Sequence, residues 1–337
     1  MKVTIREVAK RAKVSVGTAS RVMNGRENVG DDIRKRVLEA VSELGYTPNY
    51  AAQTMRRRGT RMVGIIVRDI TIPVLASFVR AAQDVLQAAD YTLLIACSED
   101  IKARELELMA LLARRQVDGI IMTTCAEDDP DLLAARRTLD LPVVLLDREA
   151  PPGLNDSILL SHADGMRRAV RSLAAIGHRR IGLVTGDSSV YPARERIKGY
   201  KAGCEEAGLA IDATLIRSRS FAEAQSFVEM SALLSLAKPP TALIAGGISI
   251  LPGAIRAIRS RGLRIPHDIS VIGSGDSDLA MLFEPAISVI RWSYEELGRI
   301  GAQLLLDRMG GLVSEDVRRI LFPTELVLRE SCAIPPG

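Results

Sequence analysis

The segment TIREVAKRAKVSVGTASRVMNG, residues 4–25, decides the architecture of the amino-terminal part of the chain. Thr4, followed three residues later by Glu7, forms a capping box, which predicts that a helix begins here. A short turn follows, after which Ser15 is a suitable cap for a second helix, and the Asn-Gly pair at the end of the segment terminates it. Two short helices joined by a tight turn are typical of a helix-turn-helix unit.

The next residues predict a third helix with one apolar face. Asp31 begins this helix and Gly45 ends it. Between them apolar residues recur at helical spacing, namely Ile33, Val37, Ala40, Val41 and Leu44. Three helices of these lengths predict a small all-α DNA-reading head.

The positive charge of the chain is concentrated at its amino-terminal end. The whole sequence of 337 residues has a net charge of +4, but residues 1–60 alone contain 13 Lys and Arg against 6 Asp and Glu. A positive segment of this kind attracts a polyanion such as DNA. Because solvated charge runs are also common on protein surfaces, the charge supports the prediction of a DNA-reading head and would not establish it alone.

From Met62 onward, short apolar segments alternate with stretches of helical periodicity. Seven segments rich in Val, Ile and Leu predict strands: MVGIIV (62–67), YTLLIAC (91–97), DGIIMTT (118–124), LPVVLLD (141–147), RIGLVTG (180–186), TALIAGG (241–247) and ISVIGSG (269–275). This alternation indicates parallel sheets covered by helices on both faces, and seven strands exceed what one compact lobe needs. We therefore predict an α/β core with two lobes and a cleft between them.

Composition and motifs disfavour several other classes of protein. The four cysteines are far apart, only three histidines are present, and neither residue type shows the spacing of a metal site. No nucleophile elbow, phosphate loop or zinc motif indicates catalysis, so we expect no enzyme activity, cofactor or metal. The start of the chain lacks an apolar signal core, and no apolar run is long enough to span a bilayer, which predicts a cytoplasmic protein. A periplasmic sugar receptor would share the two lobes, but it would need an export signal and no reading head.

The reading head resembles that of the lactose-repressor (LacI) family of transcription regulators. The resemblance rests on residues 4–25 and on RKRVLEAVSELGYTPN, residues 34–49, and the following lobes resemble the periplasmic-binding-protein-like core of that family. It implies a homodimer, with a tetramer left open, that represses transcription from a palindromic operator and responds to a small carbohydrate-type effector. Whether the effector acts as an inducer or as a corepressor is left open by the sequence.

The resemblance also implies a division into domains. The head would comprise residues 1–47, a hinge helix and linker residues 48–60, and the effector-binding and dimerisation core residues 61–337. Within the core, one lobe would comprise about 61–157 and 288–322, and the other about 158–287 and 323–337.

The resemblance places the second helix of the head in the major groove of the operator. Val16 and Gly17 occupy the family's variable base-reading positions, and Arg21, one turn further on, can form two hydrogen bonds with a guanine. The alternative for Arg21 is a solvated surface arginine. Other contacts to DNA are expected from polar groups of the head and linker: Thr4, Ser15, Thr18, Ser20, Asn24, Tyr46 and Asn49.

In the family, the linker folds as a hinge helix on the operator, and a leucine from each chain is inserted into the minor groove. The matching residue here is Met55, which is apolar and flexible and can still insert. Ala52 would face the other chain of the dimer, and Arg56 would enter the minor groove. The alternative for residues 56–58 is that these three arginines only hold phosphates.

Family members hold their effector at strand ends with carboxylates, an Asn-Asp pair, an arginine and aromatic residues. The candidate effector contacts of this chain, at matching positions and at strand ends, are Asp69, Arg148, His162, Arg194, Arg196, Phe221, Asp276 and Trp292. Several of the family's acceptors are absent, because the usual Asn-Asp pair is Gly246-Gly247 and Gly275 replaces an aspartate.

Loss of acceptors with retention of arginines predicts a positive cleft, which favours an anion held by a guanidinium. We therefore expect a sugar acid or a phosphorylated sugar rather than a neutral sugar. Two alternatives remain: the glycines are loop adjustments around a repositioned neutral ligand, or the effector site has lost its function.

Overall fold

The computed structural model describes residues 3–23, 28–46, 59–312 and 316–336. The chain divides into two compact units, residues 1–60 and 61–337. We refer to the first unit as the head and to the second as the core, and each is described by itself.

The head contains the three predicted helices, α1 (Ile5–Ala12), α2 (Val16–Met23) and α3 (Asp31–Leu44). They enclose a small apolar cluster that includes Val8, Ala19 and Val37. The capping box is present, since the carboxylate of Glu7 accepts hydrogen bonds from the backbone N–H of Thr4 at 2.6 Å and from its hydroxyl at 3.0 Å. These bonds, the backbone one first, lower the pKa of Glu7, so this cap stays charged at neutral pH.

The core has two lobes, each built on one sheet. In the described part of the chain, the sheet of the first lobe has six parallel strands in the order β11-β5-β4-β3-β1-β2. The strands are β1 (Met62–Val67), β2 (Thr92–Cys97), β3 (Gly119–Met122), β4 (Val143–Leu146), β5 (Asp156–Leu160) and β11 (Arg319–Phe322). Its helices are α4 (Pro73–Ala88), α5 (Lys102–Arg114), α6 (Pro130–Thr138) and α12 (Tyr294–Met309). Apolar clusters lie on both faces of this sheet, as its continuous Val and Ile runs require.

The second lobe repeats this plan with one antiparallel edge strand. Within the described ranges its strands are β6 (Ile181–Thr185), β7 (Ile216–Ser218), β8 (Ala242–Gly246), β9 (Ser270–Ser274), β10 (Ser288–Arg291) and β12 (Glu325–Val327), in the order β12-β10-β9-β8-β6-β7. Only β12 runs antiparallel to its neighbour among these pairings. The helices are α7 (His162–Ala175), α8 (Tyr191–Glu206), α9 (Glu223–Leu234), α10 (Ile250–Ser260) and α11 (Asp278–Leu282), with a 3₁₀ turn at Ala213–Leu215.

The chain crosses between the lobes three times, after Leu160, Arg291 and Phe322. Sheet pairing moves two of the predicted lobe boundaries by a few residues. β5 stays in the first lobe to Leu160, because it pairs with β4 and β11. β10, placed in the first lobe by the sequence, belongs to the second, because it pairs with β9 and β12.

Candidate DNA-reading head and effector cleft

Helix α2 presents the predicted base-reading residues on one exposed surface. Ala19 and Val22 point into the head, whereas Val16 is 42% exposed, and Gly17 and Arg21 are exposed as well. A methyl group added at Gly17 would lie about 4.0 Å from Nη2 of Arg21, so the guanidinium reaches back over the first turn of α2. A helix that is inserted into a groove by its amino-terminal end would therefore present these three residues together.

Several of the predicted phosphate contacts form caps inside the head. The hydroxyl of Ser15 lies 2.8 Å from that of Thr18 and accepts the backbone N–H of Thr18 at 3.0 Å. Thr4 is held by Glu7 as described above. These bonds fix the positions of the hydroxyl groups. Phosphate contacts set the register of a protein on DNA, so they require donors in fixed positions.

The remaining predicted DNA contacts have other positions. Ser20 is half-buried on α2, and Tyr46 is half-buried against the apolar cluster of the head. Five predicted residues lie outside the described residues: Asn24, Asn49, Ala52, Met55 and Arg56.

A cavity of about 170 Å³ lies between the two lobes, at the carboxyl ends of their strands. Four of the eight candidate effector contacts line it: Arg148, Arg196, Phe221 and Trp292. His162 lies directly behind them, 1% exposed, with its ring 5.5 Å from that of Trp292 in an edge-to-face arrangement. The cavity therefore lies where the strand pattern predicts an effector cleft, and we refer to it as the cleft.

Arg196 is the most unusual side chain of the cleft. It is only 4% exposed, and its Nε has no hydrogen-bond partner among the described residues. The guanidinium lies over the ring of Phe221, with its carbon 5.5 Å from the ring centroid. Burial lowers the pKa of Arg196 to about 10, although the carboxylate of Asp147 opposes this effect. The side chain is therefore a buried cation at neutral pH, with no bonded anion in the part of the chain that the structure describes.

Phe221 is seated in the cleft by two glycines. A Cβ atom at Gly186 would lie 2.0 Å from the Phe221 ring, and one at Gly247 would lie 2.9 Å from it. Neither distance is sterically possible, so any side chain at either position would displace the ring. Gly247 stands where the family has an acceptor, and the ring of Phe221 occupies the space that a side chain at this position would fill.

Two further arginines add positive charge to the cleft. Arg148 is bound through backbone oxygens, donating from Nε to Thr124 at 2.6 Å and from Nη1 to Asp147 at 2.8 Å. Arg68 donates from Nη2 to the hydroxyl of Ser249 at 3.0 Å, a bond that joins the two lobes across the cleft.

Asp147 is a carboxylate of the cleft that already has partners. It accepts from the backbone N–H of Leu160 at 3.3 Å, and it lies 2.9 Å from Nε2 of His162. Burial alone would raise the pKa of Asp147, but His162 and the two neighbouring arginines together lower it. Burial, and then Arg196, lower the pKa of His162, so this histidine is neutral at pH 7 and donates to a charged carboxylate.

Three candidate contacts lie elsewhere among the described residues. Asp69 caps the following turn by accepting from Thr71, and it borders an outer groove rather than the cavity. Asp276 is held by a bidentate ion pair with Arg329, at 2.7 and 2.9 Å.

Arg194 points away from the cavity and binds two glutamates of the first lobe. Its Nη2 donates to Glu127 at 2.5 Å and to Glu149 at 3.0 Å. Arg194 and Arg196 are two positions apart on α8, so they project from different sides of the helix, and only Arg196 can face the cleft.

Sequence reasoning missed five polar residues of the cleft: Arg68, Thr123, Asp147, Ser249 and Tyr294. Arg68, Thr123 and Asp147 directly follow strands β1, β3 and β4, so the strand-end rule that selected Arg148 could have selected them too. Tyr294 begins α12 and carries no such signal.

A helix-turn-helix head followed by a two-lobed core with a ligand-sized cleft is the architecture of a DNA-binding regulator controlled by a small molecule. Among the described residues, no helix combines the length and the apolar character that a membrane span needs.

Comparisons with known proteins identify the family. Residues 4–49 match the model "Bacterial regulatory proteins, lacI family", and residues 170–332 match "Periplasmic binding protein-like domain". The ribose operon repressor of Haemophilus influenzae is 32% identical over 330 residues, which cover 97% of this chain and 98% of that one. The transcriptional repressor PurR of Photobacterium profundum is 31% identical over 331 residues, with 97% and 98% covered.

Solved structures agree. The Lac repressor dimer bound to operator and the anti-inducer ONPF has a TM-score of 0.84 and 28% identity, and the match covers 99% of this chain and 100% of that one. The complex of the regulator CelR with cellobiose has a TM-score of 0.74 and 29% identity, with 98% and 100% covered. The chain belongs to the LacI family. It is a DNA-binding transcription regulator and not an enzyme.

Proposed function

We propose that the chain is a repressor that binds a palindromic operator as a homodimer and is controlled by an anionic effector. Like a sugar acid or a sugar phosphate, the effector carries negative charge, which distinguishes it from a neutral sugar. The buried guanidinium of Arg196, without a bonded anion, is the observation that carries the effector proposal.

The physical argument is one of uncompensated charge. A buried cation is costly unless an anion or several acceptors surround it. Asp147 is hydrogen-bonded to His162 and Leu160, and among the described contacts it forms no hydrogen bond with Arg196. A ligand carboxylate or phosphate would supply the acceptors through charge-assisted hydrogen bonds, which are shorter and stronger than neutral ones.

Control of DNA binding would follow from the position of the cleft. The cavity is lined by both lobes, so a ligand in it favours one angle between them. By linkage, an inducer must bind the DNA-free protein more tightly by the factor by which it weakens operator binding, and a corepressor shows the opposite sign.

The operator proposal is tested by selecting bound duplexes from a random DNA pool at two salt concentrations. We expect a palindrome for the intact chain and a relaxed preference for Arg21→Ala. The matched control is Arg11→Ala, which removes one charge from the head at an exposed residue that pairs with Glu43. It should keep the palindrome, with only a slightly smaller dependence on salt. Recovery of no preferred sequence from the intact chain would overturn the proposal.

The dimer is tested by sedimentation of the intact chain with and without the selected duplex. A complex with two chains per palindrome is expected. A complex with one chain per duplex, or a selected site that does not consist of two symmetric half-sites, would contradict the proposed homodimer.

The anion proposal is tested with probes that form pairs differing in charge, namely D-glucuronate with D-glucose and benzoate with benzamide. We expect charged probes to raise the melting temperature of the protein and their neutral partners to have a weaker effect. If only neutral probes raise it, the effector is not an anion.

A further inference from the structure

The walls of the cleft are more apolar than a carbohydrate site requires. From the first lobe, Val67, Ile72, Leu75 and Phe78 line the cavity, and Phe221 and Ile248 line it from the second. Carbohydrate hydroxyl groups facing such side chains would lose their hydrogen bonds to water without replacement.

Four described lining side chains can accept a hydrogen bond: Thr123, Asp147, Ser249 and Tyr294. Two of them already have a partner, since Asp147 is bonded to His162 and Ser249 accepts from Arg68. In contrast, donors are left over, since neither Nε of Arg196 nor the indole Nε1 of Trp292 has a partner. Each hydroxyl of a polyol must donate a proton as well as accept one. The unpartnered donors of Arg196 and Trp292 therefore suit a ligand that brings acceptors to them.

The seat of Phe221 provides a flat surface. Because Gly186 and Gly247 have no side chains, the ring lies directly against the backbone at the ends of β6 and β8. The charge of Arg196 lies over this ring, at the edge of the same cavity. An aromatic wall beside a cation matches a ligand with a planar body and an anionic group.

The size of the cavity agrees with a compact ligand. Its volume is about 170 Å³. An apolar cavity of roughly 150 Å³ holds a benzene molecule. One ring with one small polar substituent therefore fits it, and the outer groove of about 920 Å³ that shares Arg68 and Ser249 with the cavity leaves room for substituents.

We propose that the effector is a compact aromatic carboxylate, bound through its carboxylate to Arg196 and with its ring against Phe221 and the aliphatic wall. This inference rests on the proposed function, in which the cleft binds an anion, and it replaces the polyol body of a sugar acid by an apolar ring. The free indole N–H of Trp292 is a second donor for the carboxylate or for a ring substituent.

Titration calorimetry of the intact chain with benzoate, benzamide and D-glucuronate separates the two proposals. Benzoate is expected to bind at least about tenfold more tightly than either of the other two, because only benzoate has both the charge and the ring. Equal binding of benzamide and benzoate would overturn the anionic effector itself. Binding of D-glucuronate without binding of benzoate would support an anionic effector and overturn the aromatic body. If neither benzoate nor D-glucuronate binds, the aromatic carboxylate is overturned and the anionic effector loses its support.

Matched variants identify the residues. Arg196→Gln should weaken benzoate by about tenfold or more. Arg256→Gln is the control, since Arg256 also lies over a phenylalanine of the second lobe, Phe227, at 5.4 Å, but is exposed and paired with Glu223. It should bind benzoate as the intact chain does, and equal losses in both variants would contradict the assignment.

Phe221→Leu tests the planar wall and keeps an apolar side chain in case Phe221→Ala fails to fold. It should weaken benzoate by about threefold to tenfold and leave cyclohexanecarboxylate, which has no flat face, nearly unchanged. An equal loss for both probes would mean that Phe221 only fills space, and the aromatic class would be wrong.

Discussion

Arg194 and Arg196 belong to the same turn of α8 and have opposite environments. Arg194 is 35% exposed and donates to two carboxylates, those of Glu127 and Glu149. Arg196 is nearly fully buried and has no such partner. Within the described ranges, the better-solvated arginine has the anions, and the desolvated one has none.

The difference shows that an arginine with ion pairs can join the two lobes, whereas a buried arginine without one cannot do so in the same way. Glu127 and Glu149 belong to the first lobe, so Arg194 fastens the lobes together at the rim of the cleft. Glu127 also accepts the backbone N–H of Tyr191 at 2.8 Å, which adds a second bond across the same junction. Arg196 forms no ion pair across the lobes among the described residues, and the proposed anionic effector would offset the cost of its burial.

The largest effect is expected when the paired arginine is removed. Arg194→Met leaves Glu127, which is 2% exposed, without its cation. We expect the free energy of unfolding to fall by about 3 kcal/mol, toward the lower end for a broken buried pair because Arg194 is partly solvated. Urea unfolding measures this. Arg256→Met, which breaks an exposed pair, should change stability by less than about 0.5 kcal/mol, and an equal loss in both variants would refute the contrast.

The seat of Phe221 should tolerate no side chain at Gly186. Gly186→Ala places a Cβ 2.0 Å from the ring, and we expect a loss of about 2 kcal/mol from overpacking. In Phe221→Ala the same substitution should cost much less, because the atoms it collides with are gone. Additive losses in the double-mutant cycle would show that the ring is not what Gly186 accommodates.

Removal of the unpaired arginine should act in the opposite direction. Arg196→Met replaces a buried cation by an apolar side chain of similar length. Without effector, we expect the free energy of unfolding to rise by about 1 kcal/mol, since the lost attraction to Asp147 and Phe221 is smaller than the desolvation cost. A clear destabilisation in urea would mean that Arg196 is structural and that the comparison with Arg194 fails.

The smallest effect concerns pH. Burial lowers the pKa of His162 below its ordinary value near 6.5, so on acidification the unfolded chain takes up a proton before the folded chain does. Stability therefore falls as the pH decreases below about 6.5, with a slope of at most about 1.4 kcal/mol per pH unit for one proton. Asp147 acts in the same direction only near pH 4 and below, because its folded pKa is lowered from 3.8.

His162→Gln keeps a donor toward Asp147 and removes the titrating ring. Between pH 7 and pH 5 it should lose less stability than the intact chain. His178, whose pKa burial also lowers, titrates in both proteins and serves as the internal reference. Identical pH dependence in the two proteins would show that His162 is not desolvated as described.

Local signals predicted much of the fold. The capping residues Thr4 and Ser15, and the apolar periodicity of the third helix, gave the head because they act within a few residues of the chain. The seven predicted strands are all present. Five of the described strands were not predicted. The edge strands β7, β11 and β12 are short and only partly buried, and each pairs with a strand distant in sequence or equally short. The interior strands β5 and β10 are buried but have only five and four residues.

The cleft was less predictable, because it depends on contacts between segments far apart. No local pattern distinguishes Arg194 from Arg196, and only the position of Glu127 on the other lobe does so. Likewise, the sequence shows that Gly247 lacks an acceptor, but not that Phe221, 26 positions earlier, uses the space. The assignments of individual DNA and effector contacts remain predictions.

The triple crossing between the lobes also sets an order of assembly. The head needs no residue beyond Tyr46 for its described apolar cluster, whereas each lobe receives an edge strand from residues 319–327. Domains form as units while a chain is being synthesised, from its amino-terminal end onward. A growing chain of this regulator therefore has a complete reading head long before it has a complete effector cleft.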